Sequence, residues 1–435
     1  MQQRLSFLAG LLGLAAASAG ACSGGTDPGT GPSSASGHPS GSGTSGSATG
    51  GGAGGGGLAS SVSGTGASGP CNNPPDVDGD GDGWTGAEGD CNDCDPSINP
   101  GAIEVETKPN PDGTPGTPID EDCNGLVDDV APACDGPLVL HDSNPFDGAR
   151  AIDLCQQASP TDKKWGVLSA RYVSADGDDA RAPGLQVGFF DAFGPNVKVQ
   201  AGARMLALST GHARLPGDPD ACGGTGCSTT ANVDAPIGFP QVVPGCDGGT
   251  IINDDIALEL EVRAPTNAKG FSFDFKFTSF EYPVWVCTPY NDQFVALVDP
   301  APAGSIKGNV AFDSNKNPVS VNLGFFDTCD PATLDEWGAS CGVPLNPACP
   351  SPPSSYCPAG AAGLAGTGFD VWGDAGATSW LRTTTPVVPG ATFRVRFAIW
   401  DTGDQALDST VLVDDFQWIT TGAPAVATMV VPDPK

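Results

Sequence analysis

The chain has 435 residues, enough for two or three domains around one substantial core. Its 51 acidic against 19 basic residues leave a formal net charge of −32, which argues against nucleic acid or anionic lipid as a direct partner and favours cation binding. Fifteen cysteines among 62 glycines and 41 prolines point to an oxidising compartment and a disulfide framework.

Residues 1–21 carry a basic Arg4, an apolar run over 5–17 and small residues before Cys22. That is the pattern of an export signal, too short to span a membrane. Ala19, Gly20 and Ala21 fit an ordinary A-x-A cleavage site. With Cys22 they also resemble a bacterial lipobox, with Ala19 where leucine is commoner. Setting Cys22 aside leaves an even fourteen cysteines, and a Gly/Ser tract follows at once; both favour lipidation at Cys22. Ser23 after the cysteine resembles lipoproteins passed on to the outer membrane, so the expected location is the bacterial cell surface, with soluble secretion as the alternative. Residues 22–70 cannot bury a core and read as a disordered tether reaching about 35–42 Å.

Residues 71–135 hold 17 acidic side chains and one base, Lys108, and so carry half of the net charge. The candidate metal ligands are Asp76, Asp78, Asp80, Asp82, Glu88, Asp90, Asp93 and Asp95, then Asp120, Asp122, Asn124 and Asp128. Asp76, Asp78, Asp80 and Gly81 fill positions 1, 3, 5 and 6 of a D-x-D-x-D-G loop, and a shift of two residues gives Asp78, Asp80, Asp82 and Gly83 the same roles. Further on, Asp120, Asp122, Asn124, Gly125 and Asp128 repeat the arrangement. Alternate side chains can converge on one hard ion where glycine permits the sharp turn, and oxygen ligands point to calcium. Position 12, where an EF-hand needs glutamate, is Ala87, Gly89 or Ala131, so these loops are of another kind. A zinc site at Cys91-x-x-Cys94 has no second such pair to complete it; structural disulfides are the better reading. Local bridges are expected between Cys222 and Cys227 and between two of Cys341, Cys349 and Cys357.

Residues 136–425 read as β structure, with 426–435 as a tail. Phe271, Phe273, Phe275 and Phe277 alternate with Ser272, Asp274 and Lys276, a period of two. Ile256, Leu258, Leu260 and Val262 repeat it, as do Phe393, Val395, Phe397 and Ile399. Shorter strands are expected over 185–190, 206–208, 294–298, 319–323 and 411–416, and one short helix over 149–157. The fold class is therefore mainly β: an antiparallel, jelly-roll-like sandwich preceded by a small loop-rich calcium-binding module and the tether.

Two family resemblances rest on particular residues. The aspartate loops continue as G-D-C-x-D-x-D-P-x-x-x-P-G-A-x-E and end in D-x-D-C-N-G, and over 76–129 they resemble a metal-binding motif of bacterial surface proteins. More distantly they resemble thrombospondin type 3 calcium loops. Residues 108–118 depart from the motif by enlarging the middle loop. The segments N-P-F-D-G-A-R-A-I-D-L-C, F-G-P-N-V, S-F-E-Y-P-V-W-V-C-T-P-Y-N-D and D-T-G-D-Q-A-L-D-S-T-V-L-V-D-D-F resemble the choice-of-anchor L family over about 144–419. That resemblance implies an exported, β-rich surface domain and no established reaction.

Chemistry in the β region is harder to place. His141 and His212 are its only histidines and no G-x-S-x-G occurs, so a nucleophilic hydrolase is not expected. Asp401, Asp404, Asp408 and Asp415, with Asp414 beside them and Glu281 or Asp292 as further ligands, are a possible second metal site. Trp285, Tyr282, Tyr290 and Trp400 could line a glycan-binding face or belong to the core. The resulting expectation is a non-catalytic, calcium-binding surface lipoprotein. It would meet the outer membrane through its lipid and an extracellular glycan or protein through its sandwich. A polysaccharide-acting hydrolase on the same scaffold is the alternative.

Overall fold

The structure is a computed structural model that describes residues 72–141, 143–246, 248–322, 325–330, 357–373 and 375–432. All of these lie in one compact unit, Gly64–Lys435. The export signal, Cys22, the tether, Cys341 and Cys349 lie outside the described residues.

The described strands run in order as β1 (Gly166–Val173), β2 (Val187–Phe190), β3 (Ala192–Phe193), β4 (Val197–Lys198) and β5 (Met205–Ser209). Then follow β6 (Ile252–Arg263), β7 (Gly270–Ser279), β8 (Gln293–Asp299), β9 (Val319–Ser320) and β10 (Phe326–Cys329). The last are β11 (Gly376–Thr378), β12 (Leu381–Pro386), β13 (Thr392–Thr402), β14 (Ser409–Ile419) and β15 (Ala427–Val430). One sheet has the order β1-β6-β13-β8-β9. The other has β10-β11-β7-β14-β5-β2, with β12 joined to β7 and β15. The ladders in both are antiparallel.

The alternating residues explain why two sheets form and how they meet. Ile256, Leu258, Leu260 and Val262 of β6 share one core cluster with Phe393, Val395, Phe397 and Ile399 of β13 and the four phenylalanines of β7. The ring of Phe273 meets Phe397 edge-on with centroids 4.9 Å apart, and Phe271 stacks on Phe393 at 5.3 Å. Burial of these rings is the main force joining the sheets.

The other face of β7 is also buried. Asp274 pairs with Arg382 of β12 at 2.6 Å, and the Lys276 ammonium donates to the Thr378 carbonyl. A second apolar cluster holding Phe190, Met205, Phe280, Phe369 and Trp380 builds a further layer, so that neither side of β7 faces water.

Several expectations shift. The helix lies at Pro145–Arg150 instead of 149–157, because Asn144 caps Phe146 N–H, Pro145 occupies the first turn and Asp153 turns left-handed at φ 67°. Strand β2 starts only at Val187, after a helical turn at Pro183–Gln186. β9 covers only Val319 and Ser320 of the stretch expected over 319–323, and Leu323 lies outside the described residues. β15 forms within the stretch read as a tail, where its ladder to β12 is reinforced by Thr383 and Thr428 hydroxyls 2.8 Å apart. Cys222 bonds Cys227 as expected. Cys357 bonds Cys329, and the other two candidates for a local bridge, Cys341 and Cys349, lie outside the described residues.

Candidate metal centre

Between residues 72 and 135 there is no strand and only one short helical turn, Gly86–Glu88. Carboxylates organise the backbone instead. Asp78 accepts from Gly81 N–H at 2.7 Å and from Gly83 N–H at 3.0 Å. Both glycines stand at positive φ, 86° and 93°, which a side chain would resist. Asp93 closes the loop by accepting from Gly79 N–H at 2.8 Å. Ligand oxygens of Asp78, Asp80 and Asp93 then lie within 4.8 Å of one another, as do those of Asp80, Asp82 and Asp90.

Asp80 belongs to both groups. Its Oδ2 and that of Asp90 are buried and accept no hydrogen bond. Burial pushes the carboxyls of Asp80 and Asp90 up and takes Asp82 to about 6, with neighbouring aspartates adding repulsion. Such a set is stabilised by a cation.

The second loop repeats the device. Asp120 accepts from Asn124 N–H at 3.0 Å and Gly125 N–H at 2.9 Å, with Gly125 at φ 94°. The converging oxygens belong to Glu104, Asp122 and Asp129, again within 4.8 Å. Asn124 donates its amide to Asp122 at 3.0 Å and to Asp129 at 3.2 Å, so it orients the carboxylates. Asp128 turns away to accept from Thr107 N–H at 2.6 Å. Glu104 Oε2 is buried without a partner. Cys91–Cys123 ties the two loops together, and Cys94 is also disulfide-bonded, so no thiolate remains for zinc at that pair.

Of the other candidates, Glu88 forms an ion pair with Lys163 at 2.6 Å, and Asp95 caps the turn at Ser97 by accepting from its N–H at 3.1 Å. Asp76 is exposed and belongs to neither group. Glu104 and Asp129 were missed, although Glu104 is the final residue of the P-G-A-x-E run quoted above.

The loops are seated on the sandwich through Asn99, which is fully buried. Its Nδ2 donates to Asp82 Oδ2 at 2.6 Å. Its Oδ1 accepts from Gly101 N–H at 2.9 Å and from the Thr266 hydroxyl at 2.7 Å. Thr266 and Asn267 lie in the turn between β6 and β7, and Asn267 both donates to and accepts from the Ile103 backbone, at 2.8 and 3.0 Å. Trp84 is buried beside Gly101, with the Lys163 ammonium 5.3 Å from its ring centre. A cavity of about 530 Å³ remains at this junction, lined by Asp82, Glu121, Thr266, Lys269, Pro389 and Thr420 among others.

The C-terminal acids do not converge. Asp408 accepts from Cys227 N–H at 3.0 Å, exposed Asp404 caps Ala406 at 3.0 Å, and Asp415 pairs with Arg382. Asp401 instead lies near Glu281 and Asp292, whose charges act on it. Asp414 accepts from Gln200 N–H at 2.6 Å. His212 is held by the Asp220 carbonyl at 2.6 Å, and His141 is exposed. Trp400 and Tyr282 are core residues, packed on Phe239 and Phe326, whereas Trp285 and Tyr290 meet edge-on and are half-buried.

The model of the choice-of-anchor L domain matches residues 166–416, from the first residue of β1 into β14. The chain belongs to the choice-of-anchor L family. The match takes in both sheets except for β15 and the end of β14, and membership makes this a surface-associated, β-rich protein. The aspartate loops and the helix at Pro145–Arg150 precede the choice-of-anchor L domain. No curated protein matches the chain. Among the described residues no helix is long and apolar enough to cross a membrane.

Proposed function

We propose that this choice-of-anchor L protein is a calcium-binding, lipid-anchored cell-surface protein, and that it displays its sandwich for adhesion to an extracellular glycan or protein. The observation that carries the calcium reading is the convergence of five aspartates on the doubled first loop, with Asp80 common to both halves. Hard oxygen ligands, glycine turns and the absence of a base in the cluster all fit calcium better than a softer metal. Asp78, Asp80, Asp82, Asp90 and Asp93 would hold ions in the first loop, and Glu104, Asp122 and Asp129 one in the second. The ion's chemistry here is charge neutralisation, and Asn99 carries the resulting order to the turn between β6 and β7.

The lipid anchor rests on Cys22 and its preceding small residues. Calorimetric titration with calcium tests the metal reading: Asp80→Asn is expected to abolish binding at the first loop and Asp122→Asn at the second. Unchanged heats in both variants would overturn it. For the anchor, Cys22→Ser is expected to move the protein from the membrane to the soluble fraction, and fractionation like the wild type would exclude lipidation there.

A further inference from the structure

The cavity of about 530 Å³ between the aspartate loops and the sandwich has two walls of different origin. Asp82, Pro96 and Glu121 come from the loop side, and Lys269, Pro389, Thr420 and Thr421 come from the sandwich. Its volume is that of a site for a small ligand.

The backbone holds both charged walls in place. Glu121 Oε2 accepts from Val105 N–H at 3.1 Å, and the Glu121 carbonyl accepts from Asn99 N–H at 2.9 Å. Lys269 N–H donates to the carbonyl of Ile419, the last residue of β14, at 2.7 Å, and the Lys269 carbonyl accepts from Val387 N–H at 3.1 Å. The two side chains do not neutralise each other. Among the described residues neither Glu121 nor Lys269 forms an ion pair, in a chain where 51 acidic residues compete for 19 basic ones. The cavity thus keeps an acceptor on one wall and a donor on the other, with the Thr420 and Thr421 hydroxyls on the side of the ammonium.

Asp82 carries the remaining charge of the lining, and it is committed elsewhere. It accepts from Trp84 N–H at 2.7 Å and from Asn99 Nδ2 at 2.6 Å, and it belongs to the group of Asp80, Asp82 and Asp90. With calcium on that group the lining balances, one carboxylate against one ammonium. An acidic or an amino ligand would then leave Glu121 or Lys269 facing a like charge, and an apolar ligand would strand both. A sugar hydroxyl donates and accepts at once, so neighbouring hydroxyls of a neutral sugar satisfy Glu121, Lys269 and the threonines together. Pro96 and Pro389 supply apolar surface for the C–H face of a sugar ring.

We propose that this cavity is a calcium-dependent binding site for a neutral saccharide, with Glu121 accepting from sugar hydroxyls and Lys269 donating to them. The assignment rests on the reading of the chain as a calcium-binding surface protein that meets a glycan, and it gives that reading a place. Calcium acts on the site through Asp82, which belongs to the cavity wall and to the first loop alike.

The calcium-loaded full chain is tested on an array of neutral, uronate and amino-sugar oligosaccharides. Neutral chains are expected to bind, and chelator should weaken that binding at least tenfold. Lys269→Met and Glu121→Gln should each weaken it at least tenfold while leaving the calorimetric calcium titration unchanged, because neither residue belongs to a group of converging ligand oxygens. The proposal is overturned if either variant binds the neutral chains as wild type does, which would place the glycan elsewhere on the sandwich. Preference for uronate or amino-sugar chains would overturn it too, as would indifference to chelator in a chain that takes up calcium. A flat calcium titration would overturn the metal reading and the calcium dependence of this site together. Normal calcium uptake with no glycan bound would sink the site alone and leave an extracellular protein as the partner.

Discussion

The aspartate loops and the sandwich hold their backbones by opposite means. In the sandwich, apolar rings alternate along long strands, and backbone groups satisfy one another across antiparallel ladders. In residues 72–135 the buried apolar side chains are few, Trp84, Ile98 and Ala102, and backbone N–H groups are satisfied by carboxylates. A carboxylate that shapes a turn while crowded by others gains most from a cation. Calcium should therefore be a structural partner of the first region and nearly irrelevant to the ring core of the second. Four experiments break or sharpen that contrast.

The largest effect is expected from Phe273→Ala. This ring is fully buried and meets Phe397 and Phe275, so its loss should cost about 3–5 kcal/mol. Denaturant unfolding should show the same loss with calcium and with chelator. A loss that appears only with chelator would mean that the core depends on the loops.

Next comes Asp80→Asn. At a calcium concentration 100 times the dissociation constant, one site stabilises the folded form by about 2.7 kcal/mol. Asp80 serves both groups of the first loop, so the variant should lose that increment and calcium affinity should fall at least tenfold. Thermal unfolding with and without calcium reads both. An unchanged calcium-dependent shift would show that the loop holds no ion through Asp80.

A smaller change is expected from Asn99→Ala, which removes the link between Asp82 and Thr266 while leaving every carboxylate in place. Loss of buried hydrogen bonds of this kind costs about 1–3 kcal/mol. Calorimetric titration should still show the ions, but unfolding of the loops should separate from unfolding of the sandwich in scanning calorimetry. A single transition at the wild-type position would show that Asn99 does not couple them.

The same contrast governs what can be read from residues alone. Alternating phenylalanines betray a strand because their period is local, and the Phe271 to Phe277 run lies within β7. The burial of its polar face is invisible in that pattern, because Arg382 and Thr378, which satisfy Asp274 and Lys276, come from strands over a hundred residues later. In the loops, D-x-D-x-D-G spacing identifies Asp78, Asp80 and Asp82, whose roles are set by turns within a few residues. It cannot separate Glu88, claimed by Lys163 from the sandwich side, from Glu104, which arrives across an enlarged loop. The C-terminal acids are dispersed for a related reason. Asp401, Asp404, Asp408 and Asp415 are close in sequence, but an extended strand and a hairpin carry them to different neighbours, and Asp401 meets Asp292 only through the β8–β13 register.

The smallest expected effect concerns an acid pair where the loops meet the domain. Asp135 follows Cys134 and Asp153 precedes Cys155, and the Cys134–Cys155 disulfide holds the two acids at the Gly202 turn. Asp135 accepts from Ala203 N–H at 2.6 Å, whereas Asp153 Oδ2 is buried without a partner. Burial, then Asp135 and Asp415, push the Asp153 carboxyl from its ordinary 3.8 to about 7. Between those values the folded chain keeps a proton that the unfolded chain has released. The stabilising contribution of that proton is complete below pH 4 and is lost as the pH rises to 7. Asp153→Asn removes the titration and should flatten this part of the stability profile, raising the melting temperature by on the order of 1–3 °C at pH 8 and leaving it nearly unchanged at pH 4. The rise should be the same with calcium and with chelator, because this pair stands on the disulfide and a backbone turn. A rise that calcium erases would place a cation between Asp135 and Asp153 and move this pair to the metal-dependent side of the molecule.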